Sequence, residues 1–106
     1  MQYKVVTLCG STRFKDDFME AAKYFTLKGY IVLMPNVFGH SGDKFTDEQK
    51  SMLDDMHKKK IDMSDGIFVI NKNGYIGSST RSEIDYANKN NKPVAYLEGY
   101  TNENNN

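Results

Sequence analysis

Four short runs rich in β-branched and aromatic residues, at positions 3–8, 31–34, 66–71 and 94–97, alternate with three stretches of helix length. That alternation narrows the possible folds more than any other feature of the chain. Strands joined through helices pair in parallel by right-handed crossovers, and a parallel sheet needs both faces covered. The pattern predicts an α/β fold: a small doubly wound, Rossmann-like parallel sheet of strand order 2-1-3-4 with helices on both faces. At 106 residues there is room for one domain, over positions 1–99, followed by a polar, asparagine-rich tail at 100–106 that is expected to fray.

The helices show in the spacing of their apolar residues. Phe14, Phe18, Ala21, Ala22 and Phe25 share one face of a 3.6-residue period, and Gly29 is placed to stop that helix in the C′ role. A second helix starts at Thr46, where Thr46 and Gln49 have capping-box spacing, and runs to about position 63. Leu53, Met56 and Ile61 mark its apolar face with Met52 at the margin. His57, spaced by four from Leu53 and Ile61, is turned inward. A third helix is expected over about 79–90.

Ligands of doubly wound sheets sit beyond the carboxyl ends of the strands, where the strand order reverses. Three loops reach that edge: 9–13, 35–45 and 72–79. Two of them lead from a strand into a helix through glycine and hydroxyl residues, Gly10-Ser11-Thr12-Arg13 and Gly77-Ser78-Ser79. The unpaired N–H groups of a helix start attract phosphate and sugar oxygens, so both sets are candidate anion-binding segments. Arg13 adds a guanidinium fork. Glu83 is expected in the first turn of the third helix, facing the ligand. Thr80-x-x-Glu83 also fits a capping box in which Glu83 only bonds back to the backbone. Phe38 from the long loop and Tyr75 from the third are candidates to stack on a ligand's aromatic part, and His40 from the long loop is a further candidate binding residue.

Direction along the chain sorts the remaining groups. Asp65 and Asp62 precede the third strand, at the edge away from the loops. His57 lies eight residues earlier, so a rise of about 1.5 Å per residue carries it roughly 12 Å towards the site. Asp54 lies nearly one turn higher. Lys58-Lys59-Lys60 reads as a solvated face, Arg81 as exposed, and Cys9 as a packing residue at which His57 is not obviously directed. With two histidines and one cysteine, neither a metal site nor a disulfide is expected, and no cofactor is called for. Fourteen basic and fourteen acidic side chains cancel, which argues against a nucleic-acid polymer or an anionic membrane as partner. With no secretory signal pattern and no apolar run of spanning length, a cytoplasmic protein is expected.

Taken together, Cys9-Gly10-Ser11-Thr12-Arg13 and Gly77-Ser78-Ser79-Thr80-Arg81-Ser82-Glu83 resemble the nucleoside 2-deoxyribosyltransferase superfamily. Within it, the Gly-Ser-x-Arg start is most similar to the small nucleoside 5′-monophosphate N-glycoside hydrolases. The resemblance implies cleavage or transfer at the bond between a nucleobase and its sugar, with Glu83 as nucleophile towards the anomeric carbon. It implies that Ser11, Arg13 and Ser78 or Ser79 hold a 5′-phosphate, and that the protein is a homodimer or higher homo-oligomer. His57 stands where that family commonly carries an aspartate, so His57, with Asp54 or Asp55, is the candidate to move the proton. With an ordinary pKa near 6.5, His57 is expected to supply it near neutral pH. Gly77-x-x-Thr80-x-x-Glu83 is similar to part of the motif of cytokinin-activating phosphoribohydrolases, which also break nucleotide N-glycosidic bonds. A nucleotide-binding module without turnover is the alternative function.

Overall fold

The computed structural model describes residues 1–37 and 44–99. Phe38, His40 and the 100–106 tail lie outside them. The elements, in order, are β1 (Lys4–Gly10), α1 (Lys15–Leu27), β2 (Tyr30–Leu33), α2 (Asp47–Asp62), β3 (Gly66–Ile70), α3 (Ser78–Lys89) and β4 (Val94–Tyr96). All strand pairs are parallel and the order is β2-β1-β3-β4, as the alternation predicts.

Period-two alternation along the central strands divides the core between the two faces. Val6 and Leu8 of β1 join Ile70 of β3 against Phe18 and Ala21 of α1. Cys9 of β1 and Ile67 and Val69 of β3 pack against Ile61 of α2 and Ile84 and Ala87 of α3. Each fully buried aliphatic side chain contributes about 1.5–3 kcal/mol, so neither half of the core is dispensable.

The element ends carry the site, and they depart from expectation in two places. First, β1 continues two residues past Leu8 because Cys9 and Gly10 pair with Val69 and Ile70. A Cβ on Gly10 would lie 2.8 Å from the Ile70 carbonyl oxygen and 2.9 Å from the Ile70 Cβ, so only glycine fits there. Second, α3 starts at Ser78 with Gly77 as N-cap and no side-chain cap. The Thr80–Glu83 capping box therefore does not form: Thr80 is buried inside the first turn, and Glu83 falls in the second turn rather than the first. At α2, by contrast, both halves of the box are made. Gln49 N donates to Thr46 Oγ1 at 3.1 Å, and Thr46 N donates to Gln49 Oε1 at 2.9 Å. Gly29, with φ 91°, terminates α1 as expected.

The two aspartates set aside on direction have structural roles. Asp65 accepts the Val5 N–H at 2.8 Å, and Asp62 accepts the Tyr86 hydroxyl at 2.6 Å.

Candidate functional site

A cleft of about 550 Å³ opens at the carboxyl edge of the sheet, between the segments that follow β1, β2 and β3. All the described candidate residues meet in it. From the end of β1 and the turn that follows it come Gly10, Ser11, Thr12 and Arg13. Tyr75, Gly77, Ser78 and Ser79 come from the β3–α3 connection, and Asp54, His57 and Glu83 from the two helices. Phe38 and His40 lie outside the described residues.

On the β1 side a single 3-10 turn, Thr12–Phe14, precedes α1, and Ser11 caps it by accepting the Arg13 N–H at 3.4 Å. Arg13 is exposed, with its guanidinium carbon 4.4 Å above the Tyr75 ring centroid and Nη2 3.5 Å from the Tyr75 hydroxyl. Phe14 meets the same ring edge to face at 6.0 Å. Tyr75 thus orients the arginine at the rim, at an energy of about 0.5–1 kcal/mol for an exposed pair. A Cβ on Gly77, the N-cap of α3, would come within 3.2 Å of the Tyr75 hydroxyl, a tight contact that the exposed ring would have to relieve. Ser78 and Ser79 follow it, exposed on the first turn, where the helix N–H groups are free to meet an anion.

At the floor three side chains converge. Cys9 Sγ is 3.3 Å from His57 Nε2, and His57 Nε2 is 3.7 Å from Glu83 Oε1. His57, which the sequence does not obviously direct at Cys9, meets it here: α2 crosses over the end of β1, and His57, turned inward by its spacing with Ile61, comes down on the thiol. Burial decides the charge state. It lowers the His57 pKa to about 4, with the nearby Lys60 ammonium adding to the effect. It raises Glu83 to about 7, with the Asp54 carboxylate pushing the same way and a hydrogen bond from Cys9 and the Lys58 charge pulling back. The Cys9 thiol is held well above its ordinary value by burial first and by Glu83 second. At neutral pH His57 is therefore neutral and its contact with Glu83 is not an ion pair. A proton donor of pKa near 6.5 is not what this environment makes of His57.

Lys60 is a second correction. Rather than lying on a solvated face, its ammonium donates to the Met34 carbonyl at 2.8 Å and to Asn36 Oδ1 at 2.7 Å. It ties the end of β2 to α2 and forms part of the cleft wall. Lys60 is three residues from His57, and i, i+3 neighbours share a helix face; that spacing was the available signal. Asn36 and Phe45, from the loop expected at this edge, also line the cleft, as does Lys50, which carries no motif that would have marked it. Met56 borders it while 41% exposed. A smaller cavity of about 230 Å³ lies between α2 and α3, where Asp54, Lys58 and Ser82 join Glu83. Glu83 is thus reached from two sides.

The arrangement offers anion-binding N–H groups and a guanidinium at one end and a largely buried carboxylate at the floor. A second, exposed carboxylate stands beside that floor, and the space suits a ligand of small-molecule size. Among the described residues no helix is long and apolar enough to cross a membrane. No protein-family profile matches the chain, and no curated protein matches it. Among solved structures it is similar to a conserved protein from Enterococcus faecalis V583, with a TM-score of 0.62 at 17% identity, covering 97% of this chain and 72% of that one. That similarity concerns the fold.

Proposed function

We propose that the cleft takes a nucleoside or its 5′-monophosphate and that Glu83 attacks the anomeric carbon, cleaving the N-glycosidic bond or transferring the sugar. The observation that carries this reading is the position of Glu83. It is a largely buried carboxylate lining a ligand-sized cleft that Arg13 and the first turn of α3 also line. Cleaving an N-glycoside builds oxocarbenium character on the sugar, which a carboxylate in a poorly solvated site stabilises or traps. A 5′-phosphate would lie against Ser11, Arg13, Ser78 and Ser79. Neutral His57 orients the carboxylate rather than acting as an acid. Asp54, exposed where the two cavities meet Glu83, is the group with access to the departing base and to water. Water as acceptor gives hydrolysis, and a second nucleobase gives transfer.

The test is incubation of the protein with ribo- and deoxyribonucleosides and their 5′-monophosphates, with and without a second base, followed by chromatography for free or exchanged base. Release that vanishes in Glu83→Ala supports the reading. Undiminished release in that variant contradicts it. Tight nucleotide binding with no release from any compound favours the binding module, for which His57 in place of an aspartate is the motivating residue. The reading includes a homodimer or higher homo-oligomer, which light scattering behind size exclusion checks; a monomer throughout the concentration range removes that part.

A further inference from the structure

The convergence of Cys9, His57 and Glu83 assigns the cleft a second ligand. We infer that the Cys9 thiolate, His57 Nε2 and a Glu83 carboxylate oxygen form a three-ligand site for one divalent cation of the zinc class, with its fourth position open to the cleft. One ligand atom from each residue lies within 4.8 Å of the other two, although the residues come from β1, α2 and α3. With bonds of about 2.3 Å to sulfur and about 2.0–2.1 Å to nitrogen and oxygen, a tetrahedral zinc ion sets its ligand atoms about 3.3–3.6 Å apart. The sulfur–nitrogen and nitrogen–oxygen separations are 3.3 and 3.7 Å, each within a few tenths of an ångström of those values, and the sulfur–oxygen separation is within 4.8 Å.

The donor set selects the metal. Thiolate, imidazole and carboxylate suit Zn²⁺ and its spectroscopic surrogate Co²⁺, whereas Mg²⁺ and Ca²⁺ take oxygen donors. Two anionic ligands balance the charge of the cation. The route in is the cleft itself, which His57 and Glu83 line while Cys9 sits buried behind them. On binding, the thiol proton, and that of Glu83 where present, leave to solvent as the metal bonds form. Among the described residues no other group of three such side chains converges in this way. The consequence for turnover rests on the function proposed above: a carboxylate bonded to the cation is not free to attack a sugar, so zinc and nucleotide compete and zinc inhibits.

The experiment titrates chelator-treated protein with Zn²⁺ by calorimetry and with Co²⁺ by absorption, in the absence of any nucleotide. One ion per chain is expected. Co²⁺ should give a near-ultraviolet thiolate charge-transfer band and intense visible bands of a four-coordinate centre. Cys9→Ser should abolish the thiolate band, and Glu83→Gln should weaken Zn²⁺ binding at least about tenfold. Should Cys9→Ser fail to fold, the wild-type Co²⁺ spectrum and Glu83→Gln carry the test. No stoichiometric binding, a Co²⁺ spectrum lacking the thiolate band, or unaltered affinity in Glu83→Gln overturns the site. Binding with undiminished base release overturns the inhibition alone. Zn²⁺ binding together with no base release by the zinc-free protein from any substrate counts against the proposed function and leaves the metal site standing.

Discussion

His57 and Glu83 have opposite effects on stability as pH changes, and each conceals the other. For His57 the folded pKa is about 4 against an ordinary 6.5, so the unfolded chain binds more protons between those values. Its contribution is complete above 6.5 and is lost as pH falls towards 4. For Glu83 the folded pKa is about 7 against an ordinary 4.5, so the folded protein binds more. That contribution is complete below 4.5 and is lost as pH rises through 7. Each shift corresponds to about 3 kcal/mol, and between about pH 4.5 and 6.5 the two slopes cancel. Urea unfolding of chelator-treated wild-type protein should therefore give a nearly level profile in that range. Glu83→Gln should become more stable with rising pH across it, and His57→Gln less stable. Parallel profiles for all three proteins would refute the paired burial. The same residues show where sequence reading ends. Spacing by four turned His57 inward, but what it meets there depends on how α2 crosses β1, which no local pattern records. Its reference pKa was the wrong guide because desolvation, a tertiary effect, outweighs it.

At the scale of elements, the crossover pattern and the caps were legible because each rests on local chemistry. Thr46 and Gln49 close the start of α2 as their spacing predicts. Thr46→Ala should cost about 1 kcal/mol in thermal or urea unfolding. α3 starts one residue before the expected position 79 and three before the start at Arg81 that a Thr80 cap implies, and the latter difference moves Glu83 from the first turn to the second. Gly77, which needs no side chain to cap, leaves no signature comparable to Thr80-x-x-Glu83. Gly10→Ala should destabilise by about 1–3 kcal/mol, since the new methyl group meets a backbone carbonyl that the β1–β3 pairing holds in place. The junction between β2 and α2 depends on Lys60. Lys60→Met removes both its hydrogen bonds and the positive charge near His57. The His57 pKa, followed by NMR of its ring protons, should rise in that variant; an unchanged value would show that burial alone sets it.

For the whole molecule, strand order places three loops at one edge, and the cleft follows from that topology before any side chain is considered. The sheet order and the shared location of the described candidates could be anticipated because βαβ handedness is nearly invariant. The Cys9–His57–Glu83 cluster could not, because its members are 48 and 26 residues apart in sequence and meet only when both helices have docked on one face. The account stands on Glu83 as the group that attacks sugar. The most direct measurement is mass spectrometry of protein mixed with a nucleoside 5′-monophosphate that releases base, quenched in acid within the first turnover and digested. The account predicts a sugar-phosphate adduct on the peptide that contains Glu83, absent from Glu83→Ala together with base release. Base release that continues in Glu83→Ala, with no adduct on that peptide in wild type, would contradict it.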